Sequence, residues 1–381
     1  MPRLFVVAGE ASGDRALASV IRHLPSSIAT FGMGGAELAA TSAEIVVDLR
    51  DTTSMGIGAV LARATNLVGA FVKVWAVVEE RAPDLALLVN FTEFNLRLAA
   101  RLRAKGVPVF WYIAPQIWAS REGRVHALRE SIERLFVVLP FEEDLFRSFG
   151  VRTEYVGHPS LEDAGLVTSE GEPLRRGVAV LPGSRAQEVR RLLPRFIAAT
   201  RHLPADERAA SRVFLAASLD DRTRRFAERE AQLAGLALEP APDAMVPRLR
   251  NFWASLVASG TASLEAALSG ATPVIAYRVD ALTAFVARRV LTTPHVGLAN
   301  ILLKRRAFVE LLQEDASVTR LASALDAAIA RSKEPNGSAP STELLDLLGR
   351  HHRPSQRVAD AIVLRLSSPE SRDTFREREI A

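Results

Sequence analysis

The chain has 381 residues, is 48% hydrophobic and carries a formal net charge of +4 at pH 7, which favours a globular protein of two α/β domains. It contains no cysteine, and this excludes disulfides, thiolate catalysis and metal sites with cysteine ligands. Basic residues alternate with acidic ones and no basic stretch is interleaved with aromatic residues, so the charge does not indicate a nucleic-acid partner.

Strand patterns alternate with helix patterns through the first half of the chain. Short apolar runs predict strands at 4–8, 29–32, 85–90, 107–113 and 134–139. The first run meets a glycine turn at once, so we interpret it as a strand and not as a signal peptide or a membrane-spanning helix. Helical spacing between the strands predicts a parallel sheet with helical crossovers.

The segment 55–81 is helix-like and unusually apolar, with Lys73 near its middle. One interpretation is a pair of buried helices. The other is an apolar surface that meets lipid. The sequence leaves both open.

A polar stretch with glycine and proline at 162–177 predicts a linker, after which the alternation begins again. Further strands are predicted at 178–181, 213–217, 255–259 and 273–277, and helices near 186–202, 220–234 and 355–366. We therefore predict an α/β fold of two Rossmann-like domains facing a cleft, at 1–162 and 175–340, with a helical segment at 341–381 that packs back on the first domain.

Two short, hydroxyl-rich turns each join a predicted strand to a predicted helix. The first lies in VLPGSRAQEV at 180–189 and the second in ASGTASLEAAL at 258–268. Backbone N–H groups at a helix start, together with the helix dipole, suit phosphate oxygens. Neither turn has the Gly-Lys-Ser/Thr of a P-loop or the Gly-x-Gly-x-x-Gly of a dinucleotide site. The pair favours a pocket for a nucleotide-sugar diphosphate, with two ordinary strand-to-helix turns as the alternative.

Side chains in and after these turns extend that interpretation. Arg185 offers a forked cation to a phosphate at the first turn. Ser259, Thr261 and Ser263 supply hydroxyls at the second turn. Glu265, one helical turn further on, is suited to hold sugar hydroxyls.

The chain resembles the lipid-A-disaccharide synthase family, which are inverting glycosyltransferases of the two-Rossmann GT-B architecture. Besides the two turns, the resemblance runs in order through AGEASGD at 8–14, GMGG at 32–35, MGI at 55–57, EFNLRLA at 93–99, APQIWASREGRV at 114–125, LPFEEDLF at 139–146, VGHPS at 156–160, YR at 277–278, LANI at 298–301 and ELLQ at 310–313. The shared order, more than any single segment, carries the resemblance.

The resemblance implies transfer from UDP-2,3-diacylglucosamine to 2,3-diacylglucosamine 1-phosphate, with release of UDP. It implies that the donor contacts Gly183, Ser184, Arg185, Ser259, Gly260, Thr261, Glu265, Asn300 and Gln313. It implies that the first domain holds the acceptor, at Ser12, Asp14, Met55, Asn95, Trp118, Arg121 and Arg124. Structural alternatives stay open, since Ser12 also suits a helix cap, and Arg121 and Arg124 also suit a solvated helix face.

The resemblance also implies partners and a location. The partners are the two acylated sugar substrates and the anionic surface of the inner membrane, on whose cytoplasmic side the protein acts peripherally. No cofactor or metal is expected, because there is no Asp-x-Asp motif and the seven histidines show no convincing ligand spacing. A homodimer is left open.

The stretch after the strand at 85–90 departs from the family pattern. The family usually has an Asp, a short spacer and then Asp-Phe-Asn, whereas this chain has VNFTEFN at 89–95, with Asn90 and Glu93 in place of the acids. An amide cannot act as a general base at neutral pH, so Glu93 is the candidate base beside Asn90. Glu93 also suits a helix start as a structural residue.

That departure keeps alternatives to the synthase open. One is a relative that binds a UDP-sugar or lipid without turnover. Another is a GT-B enzyme acting on UDP-N-acetylglucosamine. A nicotinamide-dependent dehydrogenase is disfavoured, because no glycine fingerprint follows the first strand.

Overall fold

The computed structural model describes residues 1–49, 59–115, 123–165, 173–242, 244–278 and 295–367. The chain forms two compact units, one made of Met1–Pro159 with His352–Ala381 and the other of Ser160–His351. Each unit is built on one parallel β-sheet, as the alternation of strand and helix patterns predicts.

The first unit contains seven strands: β1 (Arg3–Ala8), β2 (Ala29–Gly34), β3 (Glu44–Asp48), β4 (Leu85–Val89), β5 (Val109–Tyr112), β6 (Arg134–Val137) and β7 (Thr153–Tyr155). They form a parallel sheet in the order β3-β2-β1-β4-β5-β6-β7. Its helices include α1 (Ala11–Arg22), α2 (Ala36–Ala39), α3 (Ala59–Arg81), α4 (Thr92–Ala104), α5 (Gly123–Ser131) and α6 (Pro140–Ser148).

The central strands of this sheet explain why their sequences do not alternate. Every residue of β4 is buried, and so is every residue of β1 after Arg3. A parallel strand covered on both faces needs apolar side chains at every position. The core includes Trp111 and Phe136 from β5 and β6, which are fully buried.

The second unit contains six strands: β8 (Val178–Leu181), β9 (Arg212–Leu215), β10 (Ala237–Pro240), β11 (Ala254–Ala258), β12 (Thr272–Tyr277) and β13 (Val309–Leu312). They form a parallel sheet in the order β10-β9-β8-β11-β12-β13. Its helices include α7 (Ser160–Gly165), α8 (Ala186–Thr200), α9 (Ala205–Ala210), α10 (Asp221–Ala234), α11 (Met245–Leu249), α12 (Thr261–Ser269), α13 (Leu298–Leu303), α14 (Val318–Ser332) and α15 (Ala339–Leu348).

The last described helix, α16 (Pro354–Ser367), returns to the first unit and packs on α1. The helix before it, α15, packs on α12 and α13 of the second unit. The division therefore falls between His351 and His352, whereas the sequence analysis assigned all of 341–381 to the segment that packs on the first domain. The apolar positions of α15 find their partners within the second unit, which is why the boundary lies later.

The apolar segment at 55–81 contributes one 23-residue helix, α3, in place of the pair of helices that one interpretation predicted. Val74 and Val78 of α3 are buried in the core, while Val68 and Val72 are 63% and 62% exposed. Among the described helices, none combines the length and apolar character needed to cross a bilayer.

The strand orders determine where a ligand would bind in each unit. In the first sheet the direction of winding reverses between β1 and β4, and in the second between β8 and β11. In open parallel sheets, the crevice at the carboxyl ends of such neighbouring strands is the usual binding position. The loops that follow these four strands are the ones with the sequence motifs.

Candidate functional site

In the second unit, the turn Pro182–Ser184 leads from β8 into α8. Gly183 has a φ of +112°, a backbone conformation that favours glycine, and a Cβ at this position would lie 2.8 Å from Cβ of Glu188. The carboxylate of Glu188 accepts hydrogen bonds from the N–H groups of Ser184 (3.2 Å) and Arg185 (3.3 Å). It also forms an ion pair with the Arg185 guanidinium, which is 74% exposed. A negative group therefore already lies against the amides expected to receive a phosphate.

The second turn, Ser259–Gly260, leads from β11 into α12. The Ser259 hydroxyl donates to the carbonyl of Val296 (3.1 Å), and the Ser263 hydroxyl donates to the carbonyl of Gly260 (2.7 Å). Both hydroxyls thus have structural partners. Thr261 is exposed, and no described atom lies within 4 Å of a Cβ built at Gly260. The backbone of this turn borders open space, and that space is where a ligand could approach the helix start.

Glu265 lies on α12 and is 9% exposed. It lies one helical turn after the start of α12. Its carboxylate is thus mostly shielded from water.

Asn300, predicted to contact the donor, has structural partners in this chain. Asn300 is fully buried on α13, and its amide donates to the carbonyl of Phe308 (2.8 Å) and to Glu310 (2.7 Å). Its oxygen accepts from the N–H of Phe308 (2.9 Å). Glu310 accepts in turn from the N–H groups of Val296 and Gly297, at the start of α13. Asn300 and Glu310 therefore fix the loop before α13 onto β13, and neither is available to a ligand in this arrangement.

Gln313 follows β13 at the same edge of the sheet as the two turns. Its backbone is left-handed, with a φ of +54°, and its carbonyl accepts from the Arg278 guanidinium (3.0 Å). Its side chain makes no hydrogen bond to the residues that the structure describes.

Burial is the main cause that lowers the pKa of the nearby Arg195 below its usual value, and the positive charge of Arg278 lowers it further. Arg278 thus brings a second cation to the edge that carries Arg185.

In the first unit, Asp14, a predicted substrate ligand, has structural partners. It is 3% exposed on α1, and its carboxylate accepts from the N–H of Gly35 (2.7 Å) and of Glu37 (3.0 Å). These groups lie at the start of α2, so Asp14 connects the first glycine loop to the GMGG turn. Ser12, two residues earlier, is exposed in the first turn of α1. Glu10 is the N-cap of α1 and makes no side-chain capping bond.

The turn after β4 contains two consecutive residues with left-handed backbone. Asn90 and Phe91 are both left-handed, with φ of +51° and +49°. A left-handed conformation costs a residue with a bulky side chain about 1–3 kcal/mol, and it persists only where the surroundings enforce it. Strain of this kind is concentrated at functional sites. The turn also places Asn90 half-buried at the carboxyl end of β4, with a side chain that bonds to no described residue.

Asn95 and the Phe91 ring hold this turn in place. Asn95 is fully buried, and its amide donates to the carbonyls of Asn90 (2.8 Å) and Val89 (3.3 Å). The Phe91 ring stacks on Phe94 at 5.0 Å and lies so close to Gly9 that a Cβ there would overlap it. Asn95 was expected to contact substrate, but the structure uses its amide to fix the turn. Its Oδ1 is buried and has no hydrogen-bond donor among the described residues.

Glu93 is the exposed carboxylate nearest in sequence to this turn. It is the second residue of α4 and follows Asn90 at the carboxyl edge of the sheet. The other predicted acceptor residues Met55, Trp118 and Arg121 lie outside the described residues, and Arg124 lies in the first turn of α5.

His158 lies just beyond β7 and is buried, at 6% exposure. Burial lowers the pKa of His158 to about 4, so its ring is neutral at physiological pH. Within the described ranges, no three histidine or carboxylate side chains cluster as metal ligands would.

Comparison with known proteins assigns the chain to a family. The family model described as lipid-A-disaccharide synthetase matches residues 4–363. The chain belongs to the lipid-A-disaccharide synthase family. The synthase of Myxococcus xanthus is 40% identical to it over 84% of this chain and 86% of that protein. The synthase of Acidobacterium capsulatum is 36% identical over 82% and 83%.

Solved structures of low sequence identity share the fold of this family member. A putative UDP-N-acetylglucosamine 2-epimerase from Listeria monocytogenes aligns with a TM-score of 0.63 at 12% identity and covers 96% of each chain. The calicheamicin glycosyltransferase CalG4 aligns with a TM-score of 0.58 at 16% identity, over 96% of this chain and 98% of that one. These likenesses confirm the GT-B fold class, and family membership makes the chain a glycosyltransferase.

Sequence reasoning assigned no role to four residues of the candidate loops. Glu188, Glu310, Phe91 and Gly9 each contact a residue of the motifs. Glu188 lies three residues after the N-cap residue Arg185, and a Glu at that position commonly accepts from the N-cap N–H, so its spacing could have indicated this contact. The contact of Phe91 with Gly9 joins loops 82 positions apart, and no local pattern signals it.

Proposed function

We propose that this chain transfers the diacylglucosamine unit of UDP-2,3-diacylglucosamine to 2,3-diacylglucosamine 1-phosphate, with inversion at the anomeric carbon and release of UDP. The observation that supports this most is the pair of glycine turns on the neighbouring strands β8 and β11, in a chain whose match to the synthase family runs over residues 4–363. Neighbouring parallel strands bring both helix starts to one edge of the sheet. A diphosphate needs donors at two such points.

In this proposal the second unit binds the donor. The backbone of 183–185 and 259–261 receives the diphosphate, and Glu265 holds ribose hydroxyls. Arg185 neutralises the charge that develops on departing UDP, where a preorganised cation is most effective. Glu188 already orients the Arg185 guanidinium through their ion pair (3.0 Å). Asn300 acts indirectly, by fixing the loop whose Val296 carbonyl accepts from Ser259.

The first unit, in this proposal, presents the acceptor hydroxyl and the base. Inversion requires one in-line attack and one group that takes the proton of the attacking hydroxyl. Glu93 is exposed at the start of α4 and is assigned that role. Asn90 is assigned an orienting role, since its amide can donate to or accept from a sugar hydroxyl but cannot take its proton.

No metal or other cofactor takes part in the proposed reaction. Helix starts, Arg185 and Arg278 supply the positive charge that a divalent cation supplies in other transferases. We therefore expect activity to persist in a chelator.

The substrates imply a location for the reaction. Diacylated sugars partition into a bilayer, so we propose that the enzyme acts on the cytoplasmic surface of the inner membrane. The exposed Val68 and Val72 on α3 are compatible with contact to acyl chains. Sedimentation of the purified chain tests the homodimer that the sequence leaves open.

The experiment is a product assay in detergent with both lipid substrates, with disaccharide and UDP followed in parallel and with chelator present. We expect disaccharide to form, and Arg185→Ala to lower kcat about 100- to 1,000-fold, as for loss of one preorganised transition-state donor. Arg201→Ala, an exposed arginine that follows the same helix α8, is the matched control and should leave kcat unchanged.

A second candidate function rests on Asn90 in place of the family's acid. In that case the chain binds the UDP-sugar without turning it over. UDP binding by calorimetry together with no disaccharide from the product assay would favour this candidate and reject the synthase proposal.

A further inference from the structure

A basic pocket lies on the first unit beside the edge strand β7, away from the candidate site. Its volume is about 480 Å³, within the ~300–1,000 Å³ typical of small-molecule sites. Arg134 and Thr153 begin β6 and β7, and both line the pocket. The pocket is therefore at the amino ends of these strands, whereas the loops of the candidate site follow their carboxyl ends.

The pocket is lined by more positive than negative side chains. Four guanidinium groups face two carboxylates: Arg134, Arg147, Arg152, Arg357, Glu143 and Glu154. Glu154 is shared by Arg134 (3.6 Å) and Arg357 (3.1 Å), and Glu143 pairs with Arg147 (2.8 Å). The two carboxylates thus leave a net positive charge.

Part of this cluster has a structural role. The N–H of Tyr155 donates to Glu143 (3.1 Å), and Arg147 donates to the carbonyl of Thr153 (3.1 Å). These bonds satisfy backbone groups of an edge strand, which would otherwise be open to another chain. Arg357 brings the helix α16 to Glu154. Ion pairing and protection of the strand edge explain why Glu143, Arg147, Glu154 and Arg357 lie here.

Arg152 is different, because no such role accounts for it. It is exposed and lines the pocket, and its guanidinium has no hydrogen bond or ion pair to any residue of the described chain, although its backbone carbonyl accepts from the N–H of Leu135. An arginine that faces three others gains from an anion between them.

The guanidinium groups around Arg152 are held in fixed positions. Arg134 lies over the rings of Phe110 (5.6 Å) and Phe136 (5.9 Å), and its side chain is only 21% exposed. Arg147 is held by its bond to the Thr153 carbonyl. A ligand that meets such prearranged groups loses little side-chain entropy on binding.

We propose that this pocket binds a phosphate group carrying more than one negative charge, or one phosphate of a larger ligand, with Arg152 as its principal contact. The four guanidinium groups and two carboxylates leave two positive charges unbalanced, which a doubly charged phosphate would neutralise. The same chemistry is offered by a soluble phosphate compound and by an anionic lipid headgroup. The site is separate from the donor and acceptor loops and does not depend on the proposed reaction.

The test is calorimetric titration of the full chain with inorganic pyrophosphate, in wild type, Arg152→Gln and Arg103→Gln. Arg103 is an exposed arginine of the same unit outside the pocket, and it controls for net charge. Pyrophosphate can also bind the donor turns, so the test compares the pyrophosphate affinities of the two variants with each other. We expect Arg152→Gln alone to weaken pyrophosphate binding about tenfold, as for loss of a charge-assisted hydrogen bond.

A second variant changes the affinity in the opposite direction. Glu143→Gln removes a negative charge from the pocket but keeps an acceptor for the N–H of Tyr155, so pyrophosphate should bind severalfold more tightly.

Flotation with vesicles of phosphatidylcholine, alone or mixed with phosphatidylglycerol, distinguishes an anionic lipid headgroup from a soluble phosphate compound as the ligand. Loss of binding to the anionic vesicles in Arg152→Gln indicates a lipid headgroup, and unchanged vesicle binding indicates a soluble phosphate.

Equal pyrophosphate affinities for Arg152→Gln and Arg103→Gln would overturn the proposal, whatever the vesicles show. The arginines would then serve only as ion pairs at the strand edge. Because Arg152 makes no described ion pair, its variant should melt at the wild-type temperature, which separates lost binding from lost folding.

Discussion

The candidate loops of the two units differ in how closely their turns are packed. In the second unit, the turns after β8 and β11 keep the glycine and hydroxyl pattern of the family, and Gly260 borders open space. In the first unit, the turn after β4 is strained, crowded by Phe91 against Gly9, and carries an amide where the resemblance implies an acid. The second turn of the second unit thus leaves a glycine backbone open to a ligand, while the turn of the first unit is closely packed. Turnover should therefore be more sensitive to the first unit, and UDP affinity to the second.

The largest expected effect is on the base in the first unit. Glu93→Gln should lower kcat about 100- to 10,000-fold, because general-base catalysis contributes that much. UDP affinity, measured by calorimetry, should stay the same. Glu130→Gln, an exposed acid of α5 in the same unit, is the matched control and should retain full activity.

Asn90→Asp tests the alternative to that assignment. If Glu93 is the base, a carboxylate at position 90 should change kcat little. A large gain from Asn90→Asp, with Glu93→Gln at the wild-type rate, would instead show that the base has been lost and not moved.

Lowering the pH should destabilise the first unit through protonation of His158. Its folded pKa of about 4 lies below the unfolded value of 6.5, so the unfolded chain binds a proton first as the pH falls. Stability is therefore lost between about pH 6.5 and 4, by about 3 kcal/mol from this residue at most. We expect the melting temperature of His158→Asn to fall less steeply than that of wild type over this range. Parallel curves would mean that His158 titrates normally.

The architecture of both units could be predicted from the apolar pattern of the sequence. Strands such as β1, β4 and β8 are covered on both faces of the sheet, so their sequences are unbroken apolar runs. The strands β7 and β10 are short, and each contains a glutamate (TEY and ALEP), so the local pattern does not distinguish them from loops. Both are edge strands, which need fewer apolar residues.

The turns of the candidate site were predictable, but several side-chain roles were not. Asp14 and Asn300 carry polar groups in family motifs, and each was assigned to a ligand. Their buried partners, Gly35 for Asp14 and Glu310 for Asn300, are brought close only by the fold. A polar residue is buried when such a partner exists, and one sequence does not show whether it does.

The crowding of Gly9 by Phe91 gives a test of how the first unit holds its turn. Gly9→Ala should destabilise the chain by about 1–3 kcal/mol, as overpacking does, and should lower kcat by displacing the turn. Phe91→Ala in the same chain removes the ring, so the double variant should recover stability relative to Gly9→Ala alone. Thermal melts of the wild type, the two single variants and the double variant measure the coupling between the two positions. Additive effects would mean that the ring does not lie against Gly9 in solution.

The smallest expected effect concerns Glu188 in the second unit. Its carboxylate accepts from the N–H groups of Ser184 and Arg185, which are the donors proposed for the diphosphate, so ligand and side chain compete for them. Glu188→Gln removes the charge, and we expect UDP to bind severalfold more tightly by calorimetry. The same variant also loosens Arg185, and weaker UDP binding would show that this positioning outweighs the competition. Because Glu188→Gln leaves the charge of Arg185 in place, kcat at saturating donor should change less than in Glu93→Gln.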